Sequence, residues 1–295
     1  MAAKATLAPA TFQNVLFATD FSPISAPALD CAVAICRHNH SSLVVAHIIP
    51  PEPYVAPVDA LPIMDVERHQ AERNMAQLEN ESALKAYPHK VVLRNGDPVL
   101  AILQLIEQRE ADLVVVGSHG RESFKKLLLG SVAETLVREA SCPVLTIGPR
   151  VTSGFQESFH HILFATSLST STASLRALPY ALALANQDGA KLTALRVLEA
   201  PLDHQNEQEK ARHELQEKLD RIIADMGCSC QAESLVQHGM GSEEIVRIAK
   251  EKQVDLIVMG AHRRGSIHLP WTTLHSVLCH ADCPVLTVND QTWHH

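Results

Sequence analysis

Four residues, Gly117-Ser118-His119-Gly120, are followed after nine intervening positions by Gly130-Ser131. Glycines let a backbone come close to an anion, and a helix opening near Gly130 offers unpaired N–H groups at the positive end of its dipole. The chemistry this spacing suits is phosphate binding. Ser131 adds a hydroxyl donor, and Arg121, Lys125 and Lys126 between the glycines supply positive charge for a terminal phosphate. Far upstream, Asp20 closes the run Val15-Leu-Phe-Ala-Thr-Asp20, where its carboxylate accepts from either a nucleoside or the turn into the next helix. Ile48 stands near the end of a second apolar run and contributes main chain and apolar surface.

Other reactive constellations are weaker. Cys228 with Cys230, and Cys279 with His280 and Cys283, lack the paired spacing of structural zinc. The 17 histidines show no metalloprotease spacing and read as surface side chains. Neither a GxxxxGK[ST] loop nor a GxGxxG fingerprint occurs, and no carboxylate is assignable as a base for an attacking water.

The elements that must position these residues are written twice. Val15-Leu-Phe-Ala-Thr19 is answered by Ile162-Leu-Phe-Ala-Thr166, Asp112-Leu-Val-Val-Val-Gly117 by Asp255-Leu-Ile-Val-Met-Gly260, and Cys142-Pro-Val-Leu-Thr146 by Cys283-Pro-Val-Leu-Thr287. Two copies of this length are duplicated domains, at 1–149 and 158–295, with a linker between Pro149 and Ser158. Short apolar runs alternating with amphipathic segments predict an α/β fold. It consists of two tandem doubly wound domains, each an open five-stranded parallel sheet with helices on both faces and its own core. In the first copy, strands are expected near 14–19, 42–49, 90–94, 112–117 and 143–148. Helical stripes run through Leu29, Val33 and Cys36, through Met75, Leu78 and Ser82, and through Leu175, Leu178, Leu182 and Ala185. A further stripe joins Leu215, Leu219, Ile222 and Met226, and the proline-rich stretch Pro50 to Pro62 reads as a loop.

Together these features resemble the universal stress protein family in its ATP-binding form, whose signature is met by Gly117, Gly120, Gly130 and Ser131 without a gap. The resemblance covers nearly the whole chain. It implies that Thr19, Asp20 and Ile48 contact adenosine, and that Gly117, Ser118, Gly120, Arg121, Gly130, Ser131 and Val132 hold the phosphates of ATP, with magnesium as companion ion. It also implies pairing through the last strand: the two halves form an intrachain pseudo-dimer that assembles further into a homodimer. The second copy departs from the signature, with Arg263 where a glycine is required, Ser167 for Asp20, and Thr273 for Gly130 on a gapless alignment. Nucleotide binding is therefore expected in the first half, with Thr272 or Thr273 left to cap a helix in the second.

Composition narrows the function. A net charge of -8 with 25 scattered Lys and Arg lacks the basic footprint of a nucleic-acid binder. No apolar run reaches the ~18 residues of a membrane span. Seven cysteines without a secretory leader suggest reduced thiols in a cytoplasm. The expectation is an ATP-binding stress-response regulator with slow ATP hydrolysis at most. The alternative is a scaffold that binds no nucleotide and whose domains pair through their last strands.

Overall fold

A computed structural model describes residues 12–51, 60–81, 83–118, 129–151, 157–166, 172–199, 205–261 and 271–289. The first half runs β1 (Asn14–Ala18), α1 (Ser25–Asn39), β2 (Ser42–Ile49), α2 (Ala60–Glu81), β3 (His89–Asn95), α3 (Pro98–Gln108), β4 (Leu113–Gly117), α4 (Ser131–Glu139) and β5 (Val144–Ile147). The second half repeats the order as β6 (His161–Thr166), α5 (Thr172–Asp188), β7 (Lys191–Leu198), α6 (Gln205–Asp225), β8 (Ala232–His238), α7 (Gly241–Glu251), β9 (Leu256–Ala261), α8 (Trp271–His280) and β10 (Val285–Asn289). The α/β reading holds, and the strands fall within a residue or two of their expected positions. The proline-rich loop is shorter than expected, because α2 begins at Ala60 and takes Pro62 into its first turn, where a missing N–H costs nothing. Residues 52–59 and Ser82 lie outside the described residues.

All ten strands form one sheet in the order β3-β2-β1-β4-β5-β10-β9-β6-β7-β8. Within each half every pairing is parallel. The halves meet where β5 and β10 run antiparallel, with Leu286 opposite Leu145, Val285 opposite Thr146 and Thr287 opposite Val144. The edge of each half is thus closed by the other. Central strands such as Leu113-Val-Val-Val116 are buried throughout rather than in alternation, as a sheet covered on both faces requires.

Because successive strand residues point to opposite faces, Leu16 and Phe17 enter different cores. Phe17, Leu29, Leu145, Phe164, Leu182 and Leu286 belong to one apolar cluster, and Leu16, Leu105, Val144, Leu163, Met259 and Val277 to the other. Each cluster runs through both halves, so the expected separate cores give way to one shared core on each face. Side chains reinforce the seam. Asn289 Nδ2 donates to the Ala140 carbonyl at 2.6 Å, His38 Nε2 meets Asp188 Oδ1 at 2.8 Å, and the rings of Phe12 and Tyr180 stack at 6.5 Å. Among the described residues no helix is long and apolar enough to cross a membrane.

The repeated aspartates have a structural task. Asp112 accepts from the N–H groups of Gln13 and Asn14 at 2.7 and 3.0 Å, and Asp255 accepts from those of His160 and His161 at 2.7 and 3.1 Å. Each carboxylate ties the start of the first strand of its half to the strand beside it. Asp112→Ala and Asp255→Ala should each lower the unfolding free energy by about 2 kcal/mol, since each leaves two N–H groups without their charged acceptor. Urea denaturation of the two variants measures the losses, and a negligible loss in either would show that the tie is redundant.

Candidate functional site

In each half the strand order reverses beside its first strand: β2 and β3 lie to one side of β1, β4 and β5 to the other. Open α/β sheets bind ligands at such a point, beyond the carboxyl ends of the strands. A cavity of about 680 Å³ opens there in the first half, within the range of roughly 300–1,000 Å³ usual for small-molecule sites. Thr19, Asp20, Ile48, Gly117, Gly130, Ser131 and Val132 all line it. Ser118 does not: it is fully buried, and its N–H donates to the Ile147 carbonyl. Gly120 and Arg121, with Lys125 and Lys126, lie outside the described residues.

A second cavity of about 680 Å³ lies at the opposite end of the sheet. It is bordered by Gln108, Arg109 and Glu110 at the carboxyl end of α3, the negative end of a helix, where the first cavity has a positive one.

The turn leaving β1 is built from short polar side chains. Asp20 Oδ1 accepts from Ser22 N at 3.0 Å and Ser25 Oγ at 2.9 Å, and Thr19 Oγ1 accepts from Phe21 N at 3.0 Å. Asp20 therefore shapes the approach to α1 while facing the cavity. Phe21 between them has φ +58°, an uncommon conformation for a bulky residue and one held only by its surroundings. His47 supports it from β2. Its ring lies 4.4 Å from that of Phe21, and Nδ1 donates to the Thr19 carbonyl at 2.7 Å, which places the proton on Nδ1.

Across the cavity, α4 presents its amino end. Gly130 is the capping residue, with φ -67° and ψ 144°, and among the described residues no side chain caps the helix. The N–H groups of Ser131, Val132 and Ala133 precede the first intrahelical bond, which Glu134 N makes to the Gly130 carbonyl. Three lining residues thus offer main-chain donors at the positive end of a helix, an arrangement suited to an anion. The torsions of Gly130 are open to any residue, so its glycine is not required by backbone geometry there.

Sequence reasoning missed several lining residues. His47 precedes Ile48 in β2; Glu67, Gln70 and Asn74 come from one stripe of α2; Pro98 and Ile102 come from α3. The α3 residues are held in place by Asp97, whose side chain accepts from Leu100 N at 2.9 Å. A stripe spaced at three and four residues was the available signal for α2, although its polar character reads as solvent-facing.

The second half keeps the framework and loses the space. Its corresponding cavity is about 120 Å³, lined by Thr166, Arg196, Glu199, Gly241 and Thr273 among others. Arg196 takes the place of His47, one residue beyond the pairing that sets Ala165 opposite Leu195 and Ala18 opposite Ala46. Burial lowers the pKa of its guanidinium, with Glu199 opposing the shift. Glu199 also accepts from Gly241 N at 3.1 Å, so the first turn of α7 is engaged by the chain's own carboxylate.

Two expectations for this half need correction. Ala281 N donates to Val277 O as Ala140 N does to Leu136 O, which aligns Trp271 with Gly130 and Thr273 with Val132. Gly117 precedes Gly130 by thirteen positions and Gly260 precedes Trp271 by eleven, so the gapless match of Gly130 to Thr273 fails. Thr272 and Thr273 then fall inside α8, which begins at Trp271, and not at its cap. Ser167, Arg263 and Arg264 lie outside the described residues.

The family model of the universal stress protein family matches residues 11–148 and again 158–289. Universal stress protein YxiE of Bacillus subtilis is 31% identical over 147 residues, covering 46% of this chain and 99% of the relative. Universal stress protein MJ0531 of Methanocaldococcus jannaschii is 25% identical over 142 residues, covering 46% of this chain and 82% of the relative. The crystal structure of a universal stress protein from Archaeoglobus fulgidus superposes with a TM-score of 0.71 at 22% identity, covering 95% of this chain and 98% of that one, a likeness of fold. The class is thus a tandem, doubly wound α/β protein with a crevice at each strand reversal. The chain belongs to the universal stress protein family, with two such domains in succession.

The glycine retained after β9 has a packing explanation. A Cβ on Gly260 would stand 2.6 Å from the Ala173 carbonyl carbon and 2.7 Å from Ser174 N, both backbone of α5, whereas a Cβ on Gly117 would meet the Ile24 side chain at 2.9 Å. Gly260→Ala should destabilise by about 1–3 kcal/mol or more, and Gly117→Ala by less, because a side chain yields more readily than a helix backbone. Denaturation midpoints of the two variants test the order; equal losses would contradict it.

Proposed function

We propose that the first half binds an adenine nucleotide, ATP with magnesium, and that the protein acts in stress response as a regulator governed by that ligand. The observation that carries this reading is the meeting, in one cavity of about 680 Å³, of Thr19, Asp20 and Ile48 with the amino end of α4. The adenosine lies toward Thr19, Asp20 and Ile48. The phosphates lie toward Gly130, Ser131 and Val132, with Gly120 and Arg121 assigned to them from the sequence signature. Magnesium would offset charge on the phosphates. Slow hydrolysis at most is the reading here, since no carboxylate is assigned as a base for an attacking water.

The second half serves as the partner of the first. Its cavity of about 120 Å³ falls below the usual range for small-molecule sites, and Arg196 and Glu199 stand where a ligand would enter. One nucleotide per chain follows. The antiparallel pairing of β5 with β10 joins the two halves through their last strands, which both readings expect, so a homodimer would form through another surface. The cytoplasm is the proposed location.

Purified chain should release adenine nucleotide on denaturation, at one equivalent or less. ATP at roughly 100 times its dissociation constant should stabilise the fold by about 2.7 kcal/mol, read as a rise in Tm. Gly120→Val should abolish the rise, and Arg196→Ala should leave it in place. Absence of both nucleotide and rise would sink the proposal, as would a rise that survives Gly120→Val and vanishes in Arg196→Ala.

A further inference from the structure

Cys228 and Cys230 lie in the turn between α6 and β8, at the end of the second half's sheet remote from both strand-reversal cavities. Their sulfurs are 2.7 Å apart, and Cys228 Sγ is 3.5 Å from the Cys230 carbonyl oxygen. A single side chain holds the turn in this shape. Asn186 Oδ1, on α5, accepts from Ser229 N at 2.9 Å, Ser229 Oγ at 3.0 Å and Cys230 N at 3.1 Å, while its Nδ2 donates to the Gly227 carbonyl at 3.5 Å. Gly227, at φ +77°, reverses the chain just before the pair. Both thiols are half-buried, whereas the other five cysteines, Cys31, Cys36, Cys142, Cys279 and Cys283, are buried.

From the contact between the two sulfurs, the clamped turn and the partial exposure, we infer that Cys228 and Cys230 form a dithiol–disulfide couple, oxidised by low-molecular-weight disulfides of the glutathione type. Holding both sulfurs together removes in advance much of the entropy that closing the ring would otherwise cost.

The reaction is two thiol–disulfide exchanges. Cys228, as its thiolate, attacks one sulfur of glutathione disulfide. An S–S bond forms between Cys228 and one glutathione, and the other glutathione leaves as its thiolate. Cys230, deprotonated in turn, attacks the Cys228 sulfur, forming the Cys228–Cys230 bond and expelling the second glutathione thiolate. The two protons lost by the protein thiols are taken up by the two departing thiolates, so the protein loses two hydrogens and one glutathione disulfide becomes two glutathiones.

The order follows from the surroundings. Burial raises the Cys230 thiol, the neighbouring Cys228 thiol adding to the shift, and Cys228 is taken as the first nucleophile. Once Cys228 is joined to glutathione, Cys230 is held against its sulfur by the clamped turn and becomes the resolving group. In a cytoplasm such a disulfide is transient and suited to sensing. It would stiffen the turn leading into β8, one of the two edge strands of the sheet. This inference is independent of nucleotide binding.

Reduced full-length protein exposed to oxidised glutathione in native buffer, then alkylated and mapped by peptide mass spectrometry, tests it. The expected product is one peptide carrying the Cys228–Cys230 disulfide, two hydrogens lighter, while the five buried cysteines take the alkylating label only after denaturation. Cys230→Ser should stop at a stable Cys228–glutathione adduct, and Cys228→Ser should leave Cys230 reduced. The inference is overturned if the wild-type protein accumulates the glutathione adduct without closing the ring, oxidises a buried cysteine first, or forms an interchain disulfide on a non-reducing gel. The wild-type map decides the matter even if a variant folds poorly.

Discussion

The antiparallel pairing of β5 with β10 sets the geometry of the whole molecule. A parallel sheet exposes main-chain donors and acceptors at each edge, and an apolar edge strand such as Val144-Leu-Thr-Ile147 is a liability unless covered. Here the second half covers it and is covered in return, with Leu145 facing Leu286 across the seam. The two apolar clusters then run unbroken through both halves, and the strands left at the outside, β3 and β8, are the polar ones. β3 carries Lys90 and Arg94 and β8 carries Glu233 and Gln237, residues that discourage further strand addition.

From this seam the two crevices inherit opposite fates. Both sit beside the first strand of their half, and both are floored by the same Leu-Phe-Ala-Thr sequence. In the first, β2 brings His47 beneath the turn after β1, where it fixes the Thr19 carbonyl and supports Phe21, and the space above remains open. In the second, the equivalent position is Arg196, and Glu199 takes the amino end of α7. A long cation from β7 and the carboxylate just beyond that strand line the smaller crevice with the chain's own charges. The fold can therefore keep its second copy without any ligand, and the shared cores give that copy a structural reason to persist.

Much of this was legible in the sequence. The three repeated landmarks are strand-ending or strand-starting segments, and continuous apolar runs mark buried parallel strands directly. Seven of the residues that the family resemblance implies for nucleotide line one cavity. What escaped notice depends on neighbours that sequence spacing does not reveal. Gly260 repeats the position of Gly117 in the sequence, yet its lack of a side chain is demanded by the backbone of α5 at Ala173 and Ser174. The two-residue shortening between Gly260 and Trp271 falls where no periodic pattern exists to register it. Glu67, Gln70 and Asn74 form a polar stripe whose direction depends on how α2 rotates over β2, and polar stripes ordinarily face water. Ser118 sits within the signature but is turned inward by its bond to Ile147. The merging of two cores into one per face was equally hidden, since an apolar strand does not disclose how far its sheet extends.

The covalent connection between Ile147 and His161 changes the thermodynamics of the seam. Were the halves separate chains, the fraction joined would follow their abundance. Tethered, each meets its mate at an effective concentration set by the length and stiffness of the connecting chain. The interface is therefore insensitive to expression level and dilution, and the intact and degenerate crevices are always delivered in equal number, one of each.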